Sequence, residues 1–243
     1  GIKFSYENIF PMNDGRYWIG ERYELNINNQ RVDEEPLYED STYISGHEEK
    51  TGKTATIFTT KQLDVGVETT RYHYKNGDSV FLHSDFFNEF VDMSDLAFEL
   101  PLGITDQWLL IFDPSREEWK IFEEDIDNEK FVIDGVDSVI LNGQLIADAE
   151  YARTQKMEFE GELINSLKVT ITLKSENMTL TAVSAGQTVP ATLSRKLHLW
   201  YADNIGIIRE QMETMVVNIT GFLENQKLPG YEWMMTDYSP RID

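Results

Sequence analysis

A period of two constrains this chain more than any other feature. From Lys168 the chain reads KVTITLK, with Val169, Ile171 and Leu173 on one side and Thr170 and Thr172 on the other. Side chains alternate along a strand, so this pattern calls for a sheet with one dry and one wet face. RTQKMEFEGEL, from Arg153, sets Met157, Phe159 and Leu163 against Lys156, Glu158, Glu160 and Glu162, and reads as another such strand. Residues 17–27 alternate similarly, with Tyr17, Ile19, Tyr23, Leu25 and Ile27 on one side. Residues 54–60, 108–112 and 178–183 are rich in the β-branched and aromatic residues that strands favour.

Turn signals punctuate these runs: Asn76-Gly77, Asp113-Pro114, Asp134-Gly135, Asn142-Gly143, Glu176-Asn177 and Asp203-Asn204. That density predicts a mainly β chain. We expect a single antiparallel, strongly curved sheet, a half-barrel or open barrel, with one or two short helices; the alternative is a β-sandwich. The helix candidate is residues 84–93, with Ser84 as its cap and Phe86, Phe87, Phe90 and Val91 at helical spacing. No repeat or Gly/Ser linker divides the chain, so one domain over residues 1–243 is the simplest reading. Residues 117–129 are acidic but carry Trp119, Ile121 and Phe122, and read as strand and loop. The tail 230–243 carries Tyr231, Trp233, Met234 and Met235, too apolar for a free end, and is expected to dock on the body, across the mouth of the curved sheet.

The formal net charge is -22. Such a field repels phosphate backbones and anionic membrane surfaces, so no nucleic-acid partner is expected. The chain has no cysteine, which removes thiol nucleophiles, thiolate metal sites and disulfides. No apolar run reaches the ~18 residues of a membrane-spanning helix. The chain starts Gly1-Ile2-Lys3, and a leader or a lipid-bearing Cys before residue 1 is compatible with that start.

Several stretches imitate chemistry. Gly52-Lys53-Thr54 ends like a phosphate-binding loop, but His47 stands where the loop's first Gly belongs and the chain continues as strand. HEEKT, from His47, lacks the second His of a zinc-protease helix, since Thr51 occupies that position. DIDNEKF, from Asp125, opens with calcium-loop spacing, then places Lys130 and Val136 where Gly and Glu are needed. His83-Ser84-Asp85 holds triad residue types as neighbours, which is no triad. A two-residue turn at Asn76-Gly77 pairs His73 with Val80 and puts His73 and His83 on opposite faces. No catalytic residue, cofactor or metal ligand is assigned. Trp108, Trp119 and Trp233 are the candidates for lining a ligand site, and the bland reading of all three is core packing.

LHLWYADNIGIIREQ, from Leu197, reads as a hairpin with Asp203-Asn204 at its tip, both at positive φ. This register sets Tyr201 opposite Gly206, Trp200 opposite Ile207 and His198 opposite Arg209, with His198 at the surface. It makes Gly206→Val destabilising through displacement of Tyr201.

WYADNIGIIREQ resembles the closing hairpin of uncharacterised secreted bacterial envelope proteins and lipoproteins, through Trp200, Tyr201, Ala202, Asn204 and Gly206. IFPMNDGRYWIGERYEL is similar to their opening, through Phe10, Pro11, Gly15 and Trp18. Asn204 replaces a glycine, and Gly20 replaces the opening's second aromatic residue. The resemblance implies a curved, half-barrel-like sheet of lipoprotein-carrier type, exported to the periplasm or outer surface, and is compatible with a lipid anchor before residue 1. It transfers no catalytic residue. The expected function is that of a non-enzymatic envelope protein whose concave face holds a lipid, another apolar ligand or an envelope protein. A carbohydrate-binding or carbohydrate-processing β protein is the alternative.

Overall fold

The computed structural model describes residues 8–96, 100–133 and 138–239. They form a 14-stranded antiparallel sheet: β1 (Tyr17–Glu24), β2 (Tyr38–Lys50), β3 (Lys53–Gln62), β4 (Glu68–Asn76), β5 (Ser79–His83), β6 (Trp108–Phe112), β7 (Glu118–Val132), β8 (Ser138–Phe159), β9 (Glu162–Ala182), β10 (Gln187–Ala202), β11 (Gly206–Met212), β12 (Met215–Ile219), β13 (Leu223–Leu228) and β14 (Tyr231–Ser239). The spatial order is β6-β5-β4-β3-β2-β1-β14-β11-β10-β9-β8-β7, with β12 and β13 hanging from β10. The sheet rolls into a nearly closed barrel, which replaces the sandwich alternative. Its two edge strands meet through side chains. The Trp119 indole on β7 donates to the Leu110 carbonyl on β6 at 2.8 Å, and Gln107 donates to Glu124 at 2.8 Å. Meeting edges remove a template for unwanted strand pairing.

The tail does more than dock. Residues 231–239 form β14, which sits between β1 and β11 and stitches the first half of the sheet to the second. It is an internal strand, so the expected position across the barrel mouth is corrected; residues 240–243 lie outside the described residues. Its apolar residues are core and cavity wall, which explains a composition unsuited to a free end.

Inside the roll sits a plug: a 3-10 turn, Ser84–Phe86, running into a short helix, α1 (Phe87–Phe90). Phe86, Phe87 and Phe90 are buried, and Phe87 meets Phe122 edge-on at 5.7 Å. The expected helix is shortened to this plug, and the His83 imidazole, not Ser84, accepts the capping N–H of Asp85 at 3.3 Å. Ser84 instead bonds the Thr105 carbonyl and the Gln107 N–H, both at 3.1 Å. The buried Arg195 on β10 locks the plug. It donates to three carbonyls, Glu213 at 2.9 Å, Phe90 at 3.2 Å and Pro229 at 3.0 Å.

Several expected boundaries move. The predicted strand across 153–163 is a hairpin that turns at Glu160-Gly161, pairs Phe159 with Glu162 and leaves Leu163 exposed. The predicted turns at Asn142-Gly143 and Glu176-Asn177 are facing irregularities inside the long strands β8 and β9. Turn residues are equally at home in bulges, where the chain also needs unusual φ. Residues 118–129 lie in one strand, β7, not a strand and loop. The first strand changes face along its length: Trp18 is buried and Tyr17 exposed, against expectation, whereas Tyr23 and Leu25 are buried as expected and Ile27 is exposed. Asp134-Gly135 lies outside the described residues.

Both scrutinised hairpins shift register. The β4–β5 loop is Gly77-Asp78, so His73 pairs with Leu82; His83 still points to the face opposite His73. The β10–β11 loop is Asp203-Asn204-Ile205, so Tyr201 pairs with Ile207, Trp200 with Arg209 and His198 with Gln211. Asn204 has φ 62, but Asp203 does not share a positive φ. His198 is buried, not superficial, and bonds Thr170 at 2.9 Å and Glu213 at 2.6 Å. A tight turn fixes register only when its position and length are both known: the first turn is displaced by one residue and the second is one residue longer.

Candidate functional site

Three neighbouring strands present alternate residues to the inside of the roll. β2 offers Tyr38, Asp40 and Thr42; β3 offers Phe58, Thr60 and Gln62; β4 offers Thr69, Arg71 and His73. Period two puts each trio on one face, and the ladder aligns them: Asp40 pairs with Gln62, Thr42 with Thr60, and Thr60 with Thr69. Arg22 from β1, Ile207 and Glu210 from β11, Tyr231 and Trp233 from β14, and Glu89 from α1 close the wall around a cavity of about 320 Å³.

Gly20 decides the position of Trp233. A Cβ at Gly20 would stand 2.2 Å from the indole, so only a glycine lets the ring cross β1. The indole N–H then reaches over β1 and donates to Asp40 on β2 at 2.8 Å. Asp40 is 3% exposed. Burial pushes its carboxyl up to about 6, against the Trp233 bond and the pull of Arg22.

Beside it lies a charged cluster. Arg71 reaches Glu210 at 3.1 and 3.3 Å and Glu89 at 2.7 Å. Tyr231 donates its hydroxyl to the same Glu210. Burial opposes charge on Glu210, but Arg71 and these bonds hold its carboxyl below the ordinary value. Arg22 stacks on the Tyr231 ring at 3.4 Å from its centre. His73 packs against Phe10 at 4.8 Å and Phe58 at 4.7 Å. Burial, then the nearby Arg71, lowers its imidazole to about 3, so it is neutral at physiological pH. Its Nδ1 is buried without a hydrogen-bond partner among the described residues.

Of the three tryptophans expected to line a site, Trp233 alone lines this cavity. Trp119 is buried in the barrel seam. Trp108 donates to the Lys50 carbonyl at 3.3 Å and lies edge-on to His83 at 5.1 Å. Asp40, Arg71 and Glu210 were not singled out from the sequence, and His73 was weighed only against His83. The legible signal was polar residues alternating with other polar residues, which marks a strand with no dry face.

The residues from the opening and closing motifs meet. Trp18 donates to the Ile205 carbonyl at 2.6 Å, Arg16 to the Asn204 carbonyl at 2.8 Å, and Asn204 to the Asn8 carbonyl at 3.1 Å. Gly206, at φ +102, lies under Pro11 and Trp18, so those residues, not Tyr201, would meet a side chain there. Phe10 packs edge-on to Tyr201 at 6.2 Å. Trp200 lies between the cations of Arg209 and Lys168. Gly15 has open space around it.

The chemical mimics resolve as structure. Thr51-Gly52 is the β2–β3 hairpin turn and Asp125 lies within β7. Among the described residues one cluster has metal-ligand spacing, His83 with Asp85 and Asp106. Lys50 sits on Asp85 at 2.8 Å and both carboxylates are exposed while His83 is buried, so the cluster reads as a polar network that joins His83 to the surface.

A barrel-like antiparallel sheet with a cavity of mixed polar, aromatic and aliphatic lining is thus the class that fold and site define. No protein-family model matches the chain, and no curated protein does. Two solved structures are similar. One is a proposed lipoprotein from Parabacteroides distasonis ATCC 8503, with TM-score 0.48 and 11% identity, covering 96% of this chain and 99% of that one. The other is a proposed exported protein with a YmcC-like fold from Bacteroides fragilis NCTC 9343, with TM-score 0.43 and 10% identity, covering 95% and 98%. Both likenesses are loose, and neither transfers a function.

Proposed function

We propose that this chain is a non-enzymatic, exported envelope protein that binds a hydroxyl-rich ligand of saccharide type in the β2–β3–β4 cavity. One observation carries the ligand class: the cavity combines an indole, two tyrosines, two arginines, three carboxylates and a row of Thr and Gln side chains. Sugars present both an apolar ring face and a fringe of hydroxyls, and that lining offers partners to both. An acyl chain would desolvate these groups and offer nothing to the hydrogen-bonding capacity that their protein partners leave free, at about 1–3 kcal/mol for each group left unbonded. The wall therefore favours the carbohydrate reading over the apolar one. The binding role rests on the absence of a catalytic signature in the sequence, and export rests on the resemblance of the opening and closing motifs.

A glycan array probed with the purified protein tests the ligand class. Binding is expected, and it should vanish in Trp233→Ala. A silent array together with a fatty acid recovered by organic extraction would establish the apolar reading instead. Fractionation of the source bacterium tests export, with the protein expected outside the cytoplasm.

A further inference from the structure

Two opposite charges on the cavity wall stand close together and do not bond each other. Arg22 on β1 and Asp40 on β2 both line the cavity. The ladder sets Arg22 opposite Tyr38 and Gly20 opposite Asp40. Arg22 and Asp40 therefore share one face and lie one diagonal apart, about 7–8 Å between Cα atoms. Asp40 receives the Trp233 indole N–H on one oxygen, and its other oxygen has no hydrogen-bond partner among the described residues. The Arg22 guanidinium is held by two rings, Tyr231 at 3.4 Å and Tyr38 at 5.8 Å. Among the described residues its N–H groups have no hydrogen-bond or ion-pair partner. These open atoms are not sealed inside the fold, as His73 Nδ1 is.

The other charges of the wall are committed. Arg71 bonds Glu89 and Glu210, and Tyr231 bonds Glu210 as well. His73 belongs to the other end of the cavity: it pairs with Thr56, whereas Asp40 pairs with Gln62, and it packs against Phe10 and Phe58. Polar groups inside native proteins are almost always bonded, so an acceptor and a donor left open side by side point to something that enters between them.

The pairing of opposite charges narrows what enters. A carboxylate set on Arg22 would stand against Asp40, and an ammonium set on Asp40 would stand against Arg22. A hydroxyl both donates and accepts. Two neighbouring hydroxyls can satisfy both residues and bring no charge into a partly desolvated site.

We propose that the ligand is an uncharged sugar residue that donates one hydroxyl to Asp40 and accepts from Arg22 on a neighbouring one, with its ring against Trp233, the residue opposite Arg22 on β14. This rests on the saccharide reading above and adds the charge of the ligand and the two residues that select it.

The test is calorimetric titration at pH 7.0 with glucose and galactose, their uronic acids and their 2-amino derivatives. At least one neutral sugar is expected to bind at least tenfold more tightly than both of its charged relatives. Arg22→Met and Asp40→Asn should each weaken that sugar about tenfold, the equivalent of one hydrogen bond, with near-ultraviolet circular dichroism unchanged. The variants should also shift selectivity in opposite directions, Arg22→Met toward the amino sugar and Asp40→Asn toward the uronic acid. A loss of packing alone would not produce that split. The parent's own discrimination needs no variant to fold. A charged relative binding the parent as tightly as its neutral sugar, or folded variants with unchanged affinity and selectivity, overturns the inference while the saccharide reading stands. So does a glycan array that binds while every titrated sugar is silent. Silence in both removes the saccharide reading as well.

Discussion

The Trp233 indole on β14 crosses β1 above Gly20 and donates its N–H to Asp40 on β2 at 2.8 Å. One hydrogen bond thus spans three strands and ties the C-terminal strand to the cavity wall. A Cβ at Gly20 would overlap the ring, so Gly20→Ala should cost about 1–3 kcal/mol through overpacking. In a Trp233→Ala background the same change should cost far less. A double-mutant cycle by urea denaturation measures this coupling. Equal costs in the two backgrounds would show that the ring does not lie over Gly20.

Asp40 and His73 set opposing pH dependences. Asp40 titrates near 6 in the folded state against an ordinary 3.8. The folded state therefore holds that proton more tightly, and stability falls as pH rises from about 4 through 6. His73 titrates near 3 against 6.5, so the folded state resists that proton and stability falls as pH drops from 6.5. Between about 4 and 6 the two slopes oppose one another. Asp40→Asn keeps an acceptor for Trp233 and removes the buried charge. It should stabilise the protein at pH 7.5 by about 2–3 kcal/mol, from ~1.4 kcal/mol per pKa unit. The gain should vanish below pH 4, and stability of the variant should fall more steeply than the parent's between pH 6 and 4. Denaturant midpoints across that range decide it; a gain independent of pH would mean the benefit is not electrostatic.

Sequence alternation made the architecture legible because half-buried antiparallel strands repeat every second residue. KVTITLK of β9 buries Val169, Ile171 and Leu173 as its pattern requires. The pattern did not give strand ends. Glu160-Gly161 is a real turn, whereas Glu176-Asn177 is a bulge, and both are local requests for unusual φ that only the register resolves. The cavity was mostly illegible. The pairs that build it, Trp233 with Asp40 and Arg71 with Glu210, are separated by 193 and 139 positions. Trp233 was picked out as a large aromatic residue, but Asp40 was one of 43 acidic residues, with nothing local to distinguish it.

Gly206→Val should destabilise by about 2 kcal/mol or more, since its φ of +102 strains any L side chain and Pro11 Cδ stands 3.4 Å from the new Cβ. Gly206→Ala should retain most of that cost because the backbone term persists. Thermal melts of both variants check this. A parent-like melt for the alanine variant would contradict the backbone assignment.

Tyr201 is fully buried, and its hydroxyl has no hydrogen-bond partner among the described residues. Burial pushes its phenol upward. Tyr201→Phe should therefore be neutral or stabilising by about 1 kcal/mol, instead of costing a hydrogen bond. A loss in calorimetry would reveal a partner for the hydroxyl.

Arg195→Met keeps the stem and removes three carbonyl bonds, one of them to Phe90 of the plug. We expect a loss of about 3 kcal/mol, with amide exchange quickening first around Phe87–Phe90. Exchange that accelerates uniformly would mean that the plug is not held by this residue.

The most direct measurement is isothermal titration of the purified protein with the best neutral sugar from the glycan array, alongside Trp233→Ala and Asp40→Asn. Saturable binding by the parent, abolished in the first variant and weakened in the second, is the expected result. Heat that is absent for every sugar, or unchanged in both variants, would contradict a saccharide site in the β2–β3–β4 cavity.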